Sequence, residues 1–400
     1  MNVMFEKSSA FGTVVAPPSK SVTHRALICG ALSEKSVIEN VDFCDDVLAT
    51  FEALKTLGAK AEVSGNTVTI GGLNPFNIKE GLVVDCKESG STLRFLIPLC
   101  MLTKTKVVFT GSKKLFERPL TVYERVFENE VLEIDRKNCK LTVTGPIKSG
   151  KYLVDASVSS QFLSGLLFAL PLIKGDSQII VRGKIASRPY LNLTVKLIEN
   201  FGVDVEVYKR TIEVFGNQYF GNNDMVVEGD YSSAAGLAAF NMMGGKVEVE
   251  GLSINSLQGD KVFKDCFTML KNDMATININ DCPDLAPVLF AVAAVHNGGT
   301  FLGTNRLKAK ESDRVKAMQE ELAKFGIMLT EEEDSVTILK GEIKKPCDIL
   351  NSHNDHRIVM ALSLLLSLTG GQLKGAEAVK KSYPDYFKDI KKLGIKVKTK

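Results

Sequence analysis

The sequence predicts an α/β protein built from six copies of one unit and divided into two domains. Three observations carry this reading. Six strongly apolar runs recur roughly 50 to 75 residues apart, enough for a whole βα unit with its own strands. Each run follows a short polar, often cationic cluster of the kind that starts a helix. Four units then close with a second helix that stops at a glycine before an alternating strand, the pattern of a left-handed C-cap.

Along the chain the clusters are Ser19-Lys20-Ser21 with His24 and Arg25, Glu88-Ser89-Gly90-Ser91 with Arg94, and Ser159-Ser160-Gln161. Asp230-Tyr231-Ser232-Ser233, Asp281 with Asp284, and Asn354-Asp355-His356-Arg357 follow. The runs behind them read ALICGAL, LRFLIPLCML, FLSGLLFALPLI, AAGLAAFNMM, LAPVLFAVAAV and IVMALSLLLSL. The second helices FEALKTLGAKAEV, LTVKLIENFGVDVEV, MQEELAKFGIMLT and FKDIKKLGIKVKTK stop near Gly58, Gly202, Gly326 and Gly394. In the second and fourth copies, TVYERVFENEVLEIDR and VFKDCFTMLKNDMATI lack that ending. No Pro/Ser linker divides the chain, so repeat count sets the boundary: three units per domain, changing near Glu228-Gly229-Asp230.

The chain's 400 residues, 44% hydrophobic, suit a two-domain folded protein. Fifty basic and 47 acidic residues leave a net charge of +3, so no global basic field points to nucleic acid. Eight cysteines occur without a CxxC pair, and MNVMFEKSSAFG shows no signal-peptide core, which predicts reduced thiols in the cytoplasm. No apolar run reaches the roughly 18 residues of a membrane span. The longest candidate, Phe162 to Ile173, reads as a buried helix.

Helix starts carry unpaired backbone N–H groups and the positive end of the dipole, so several converging on one place bind an anion. That predicts an enzyme for a multiply anionic small molecule. Ser21 is the predicted N-cap of the first helix, with Arg25 one turn on. The pair with Lys20 suits a carboxylate or phosphate, or else is an ordinary capped helix with solvated charges. Lys310 and Arg314 are four apart and Glu311 and Arg314 three apart, so one helix face carries two cations and a carboxylate, or is a solvated surface. Asp284 is either an N-cap or a buried base. Ser159-Ser160-Gln161 holds a phosphate without added charge, or caps a helix. Arg118, Arg357 and Lys381 are cations at turns. Gly145 to Lys151 spells G-x-x-x-x-G-K, but Tyr152 replaces the Ser/Thr of a P-loop. GxGxxG and GxSxG are absent, and the four histidines lack zinc spacing.

Taken together, PPSKSVTHRA, SVSSQFLSGLL, ASRPYLNLT, KAKESDR, NDHRIVMALSL and KKSYPDYF resemble the 5-enolpyruvylshikimate-3-phosphate synthase (3-phosphoshikimate 1-carboxyvinyltransferase) family, in order and over almost the whole chain. The resemblance implies two inside-out α/β-barrel domains, each of three βαβαββ units. One comprises residues 1–18 with 228–400 and the other residues 19–227, with substrates in a cleft that closes between them. It implies transfer of the enolpyruvyl group of phosphoenolpyruvate to the 5-hydroxyl of shikimate 3-phosphate, by addition and elimination through a tetrahedral ketal. Phosphate is released, in a step toward chorismate and the aromatic amino acids.

Matched by motif, Lys20, Ser21 and Arg25 are expected to hold shikimate 3-phosphate, with Lys20 also reaching phosphoenolpyruvate and assisting catalysis. Ser159, Ser160 and Ser187 are expected on the shikimate phosphate, Gln161 on both substrates, and Tyr190 along the shikimate side. Asp284 corresponds to the proton acceptor and Lys310 lies beside the reacting hydroxyl. Gly90, Arg118, Arg314, Arg357 and Lys381 belong to the phosphoenolpyruvate site. Protonating the terminal carbon of this enol ester creates an oxocarbenium-like centre for the hydroxyl to attack. Asp284 near the hydroxyl and Glu311 near the methylene suit the two proton transfers, each worth about 10²–10⁴ in rate. The family implies no cofactor and no metal, small-molecule partners only, and a cytoplasmic monomer.

Two positions depart from the family pattern. Glu88 stands where the glycine loop usually has Asn, and Lys87 or Arg94 is expected to neutralise it. Arg306 stands where an Asn contact to shikimate is often found. The related UDP-N-acetylglucosamine enolpyruvyl transferases use a loop cysteine, and no cysteine here lies in such a loop. A non-catalytic anion-binding repeat protein would have lost Asp284, Glu311 or some clamp arginines, and all are present.

Overall fold

The structure, a computed structural model, describes residues 1–399. Six central helices start where the polar clusters end: α1 (Lys20–Leu32), α2 (Gly90–Cys100), α3 (Gln161–Ala169), α4 (Tyr231–Ala238), α5 (Ala286–Val295) and α6 (His356–Thr369). A helix apolar all the way round has no face to give to water, so it is buried on every side. Every residue from Ala286 to Ala294 in α5 is buried, as is every residue from Val22 to Ala31 in α1. The strands alternate instead: Lys140–Thr144 buries Leu141 and Val143 and leaves Lys140 exposed. Helices inside and half-exposed sheets outside follow from these two periodicities.

The chain divides into two compact units, residues 18–228 and residues 1–17 with 229–400. In residues 18–228 the repeat is plainest around α2. Val83–Asp85 and Val107–Thr110 run parallel on either side of that helix, with Val83 opposite Val108. Lys140–Thr144 then pairs antiparallel with Val107–Thr110, and Val131–Asp135 with Lys140–Thr144. Lys151–Asp155, Ser177–Arg182, Thr211–Val214 and Val205–Val207 repeat this order around α3. Around α1 the first strand arrives last, because Met225–Val226 pairs parallel with Ser36–Glu39.

In the other unit, Ala275–Asn278, Gly299–Leu302, Ser335–Ile338 and Leu329–Glu331 form the sheet around α5. Asn2–Phe5 lies between Gly371–Lys374 and Val397–Thr399, and Phe11–Val15 pairs parallel with Lys246–Glu250. The N-terminal strands thus complete repeats begun at the far end of the chain. Gly58, Gly202, Gly326 and Gly394 have φ of +116°, +80°, +79° and +95°, the left-handed stops the sequence predicts. The two copies without them end at Phe127 and at extended Asp273. Among the described residues no helix is long and apolar enough to cross a membrane.

Gly165 sets how closely α3 approaches α2. A Cβ there would collide with the Tyr123 hydroxyl and the Arg94 carbonyl. Tyr123 donates to the carbonyls of Arg94 (2.8 Å) and Phe162 (3.1 Å), so neither atom can retreat without losing a buried hydrogen bond. Gly165→Ala is expected to destabilise by about 1–3 kcal/mol. An unchanged thermal midpoint would show that the two helices can separate freely.

Candidate active site

In residues 18–228 the site grows from the starts of α1, α2 and α3. Ser19, not Ser21, flanks α1: its N–H bonds Glu228, and its carbonyl takes Thr23 N–H as the first intrahelical bond. Ser21 therefore lies inside the helix, and its carbonyl accepts from Arg25 Nη1 at 2.8 Å. Arg25 is buried, donates Nε to Thr194 Oγ1 (2.7 Å) and Nη2 to the Tyr190 carbonyl (3.1 Å), and stacks over Phe95. This ties α1 to helix Arg188–Asn200, which starts after Ser187 in left-handed backbone (φ +55°). Lys20 pairs with Asp46 at 2.8 Å.

Ser89 caps α2 by accepting Thr92 N–H. A Cβ on Gly90 would stand 2.8 Å from Arg118 Nη1, so that guanidinium lies directly against the glycine. Arg94 donates to Gln161 Oε1 at 2.7 Å and to the Pro119 carbonyl at 3.2 Å, with Phe162 beneath its charge. Gln161 in turn donates to Ser91 Oγ at 2.9 Å, while Ser159 Oγ accepts the Gln161 N–H. Ser160 is buried, its carbonyl taken by Ser164 N–H. Beneath them His24 Nδ1 meets Thr50 Oγ1 (2.7 Å), Thr50 meets Thr92 (2.6 Å), and Thr92 donates to Ser89 (2.7 Å). Burial, then the charges of Lys20 and Arg25, hold the His24 pKa well below its usual value, so the imidazole is neutral. Lys87, one of the cations expected to neutralise Glu88, instead binds Asp85 at 2.6 Å in a tight turn with φ +52°.

In the other unit Arg314 is the centre. Its side chain is 1% exposed, and it donates Nε to Asp355 Oδ2 (2.9 Å), Nη1 to Asp284 Oδ1 (2.7 Å) and Nη2 to Glu311 Oε2 (2.8 Å). Lys310 Nζ lies 3.2 Å from the same Asp284 oxygen. The helix here begins only at Arg314, because Asp313 caps it through Lys316 N–H. Lys310 and Glu311 therefore sit in the preceding loop and not on one helix face, and the loop's curl brings the charges together. Asp284 lies in the 3₁₀ turn Pro283–Leu285 and caps nothing; its carboxylate turns to the cations. At 29% and 25% exposed, Asp284 and Lys310 reach solvent, whereas Arg314 lies behind them.

Burial alone would raise the Asp284 pKa, but Lys310, then Arg314 and Arg357, hold it well below the usual carboxylate range. Burial pulls Lys310 down, opposed by Asp284. Asp355 is fully buried, accepts Ser312 Oγ (3.0 Å) and caps α6 through Arg357 N–H (2.9 Å). Arg357 Nη2 stands 3.9 Å from Asp230, and Lys381 donates to the Asn354 carbonyl at 2.7 Å. Arg306 donates to the Asn280 carbonyl at 2.6 Å.

Sequence reasoning assigned no role to Asp46, Asp230 or Asp355. Asp230 and Asp355 stand at cap positions in two of the six clusters, which was a usable signal; Asp46 gave none. Among the described residues one group of acidic and histidine side chains is close enough to share a metal ion: Glu320, Glu321 and His353. Lys324 Nζ already lies 2.9 Å from both Glu321 oxygens and occupies that charge.

A family model described as EPSP synthase (3-phosphoshikimate 1-carboxyvinyltransferase) matches residues 6–390. The chain is 42% identical to the 3-phosphoshikimate 1-carboxyvinyltransferase of Clostridium kluyveri, over 96% of this chain and 95% of that one. It is 38% identical to that of Clostridium novyi, over 98% and 97%. Among solved structures, EPSP synthase from Acinetobacter baumannii superimposes over 100% of both chains with a TM-score of 0.79 at 23% identity, a likeness of fold.

Proposed function

The chain belongs to the EPSP synthase (3-phosphoshikimate 1-carboxyvinyltransferase) family, and on that footing we propose how its side chains divide the work. The reaction transfers the enolpyruvyl group of phosphoenolpyruvate to the 5-hydroxyl of shikimate 3-phosphate and releases phosphate, within aromatic amino acid biosynthesis. One observation carries the assignment. A buried guanidinium joins the carboxylate suited to take the hydroxyl proton, Asp284, to the one suited to serve the methylene carbon, Glu311.

In this proposal Asp284 accepts the hydroxyl proton with Lys310 beside it. The phosphoenolpyruvate carboxylate takes over the Arg314 nitrogen now held by Glu311; having lost that cation, Glu311 takes up a proton from solvent and delivers it to the methylene carbon. Arg357 and Lys381 complete the anion clamp. Lys20, Gly90, Arg118 and Gln161 serve phosphoenolpyruvate, while Lys20, Ser21, Arg25, Ser159, Ser160, Gln161, Ser187 and Tyr190 serve shikimate 3-phosphate. A carboxylate held far below its usual pKa is a weak base. Substrate anions offset the cations around Asp284 and so raise its basicity when the hydroxyl arrives. Base strength is thereby tied to occupancy. We also propose that a single chain in the cytoplasm is the working form; a sedimentation mass of one chain tests the first part.

Phosphate release from phosphoenolpyruvate, measured with and without shikimate 3-phosphate and in EDTA, tests the function. Turnover is expected only with shikimate 3-phosphate and undiminished by the chelator. Turnover with UDP-N-acetylglucosamine instead, or activity lost in EDTA and restored by a divalent ion, would contradict it. Gly90→Ala is expected to push Arg118 aside and raise the phosphoenolpyruvate KM several-fold, with little change for shikimate 3-phosphate. Equal effects on both would place Arg118 elsewhere in the reaction.

A further inference from the structure

Close to Asp284 lies another carboxyl group, for which the reaction above has no use. Asp260 sits in the 3₁₀ turn Gly259–Val262 and is 0% exposed. Ser232, in the first turn of α4, donates its hydroxyl to Asp260. Two residues earlier, Gln258 accepts the Tyr231 N–H (3.0 Å) and donates to the Gly229 carbonyl (2.9 Å). The segment 258–260 is thus fastened to the start of α4. That start is capped by Asp230, which accepts Ser233 N–H at 2.7 Å and stands 3.9 Å from Arg357. The charged groups facing Asp260 are Asp284, Asp230 and Arg357, and the thiols of Cys266 and Cys282 lie within its field. Its neighbour Lys261 turns away to the Ile254 carbonyl.

We propose that Asp260 is a positioning residue for the transfer reaction, working as a neutral carboxylic acid that fixes the start of α4 and, through Asp230, the guanidinium of Arg357. The proposal rests on the functional reading above. The charges show why a proton belongs there. Two carboxylates, Asp284 and Asp230, face Asp260 against the guanidinium of Arg357, so a third buried carboxylate there would be repelled and would draw on that cation, whereas the neutral acid leaves Arg357 to the anionic substrates. Burial, then the charge of Asp284, push the Asp260 carboxyl up to about 7; Asp230 adds to this, against the Ser232 hydrogen bond and Arg357.

Because the folded-state value lies above the ordinary one, folding takes up a proton between the two. The stability this brings is fully present below the ordinary aspartate pKa and is lost as pH rises toward about 7. The test compares wild type, Asp260→Asn and Asp260→Ala in kcat, phosphoenolpyruvate KM and substrate-free melting from about pH 6 to 8.5. The Asn variant, shaped like the neutral acid, is expected to keep kcat within about twofold and to lack the part of the KM rise that wild type shows across pH 7. Its melting midpoint at high pH should equal or exceed that of wild type. The Ala variant should raise the phosphoenolpyruvate KM at every pH. Parallel pH profiles for wild type and Asn, or an Asn variant as impaired as Ala, would overturn the proposal. If Ala does not fold, the first comparison still decides. Melting needs no substrate, so it separates failure of this role from failure of the functional reading.

Discussion

Asp284→Ala is expected to lower kcat by about 10²–10⁴ while leaving both KM values within a few-fold of wild type. A base acts mainly in the transition state, so its loss removes little ground-state binding. The ion cluster sharpens this expectation. Asp284 occupies Arg314 Nη1 and Lys310 Nζ in the structure, and removing it leaves both cations more open to substrate anions. The phosphoenolpyruvate KM should therefore hold or fall as kcat collapses. Steady-state kinetics in both substrates, with tryptic stability as a control for folding, reads this directly. Unchanged kcat with a raised KM would reduce Asp284 to a binding residue.

Arg314→Met should be the most disruptive single change in residues 229–400. The guanidinium holds three carboxylates from a position 1% exposed, and methionine of similar length leaves Asp284, Glu311 and Asp355 facing one another. Removing one partner of a buried ionic group typically destabilises by about 3–5 kcal/mol, and turnover should fall below detection with it. The sign of the pH dependence is diagnostic. In wild type Asp284 is held below its ordinary pKa, so its contribution is present above that ordinary value and is lost as pH falls through the depressed one. In the variant mutual repulsion raises the carboxyl pKa values, so protonation relieves it. Its melting midpoint should rise more steeply than that of wild type on going from about pH 7 to pH 5, because Asp260 contributes to both while the Asp284 contribution in wild type stays intact. Midpoints that shift in parallel would show that the arginine does not hold the carboxylates together.

What the sequence made legible was whatever one local stretch decides. The run LAPVLFAVAAV is apolar on every face, so its burial as α5 needs no knowledge of its neighbours, and Gly326 marks a stop because few other residues take that backbone. The choice of Ser19 over Ser21 as the flanking residue was not local, since it depends on a backbone bond to Glu228. Helical spacing likewise suggested Lys310 and Arg314 on one face, whereas Asp313 captured the helix start. Lys310, Glu311 and Arg314 still come together, by a different geometry. Arg314 shows the limit best. Two of its three carboxylates lie 30 and 41 positions away, and nothing in the spacing of charges announces either partner. Asp260 and Asp46 escaped notice for the same reason: one aspartate near a helix start looks like any other until a cation or second carboxyl is packed against it.

Turnover in D₂O, followed by mass spectrometry of the enolpyruvyl product, tests addition and elimination most directly. Protonating the methylene carbon creates a methyl group, and elimination then removes a hydrogen from it. The product vinyl group, and phosphoenolpyruvate recovered from a partly completed reaction, should therefore both carry solvent deuterium. A product formed at full rate with only protium in that group would contradict protonation at the methylene carbon, and with it addition and elimination and the role given to Glu311.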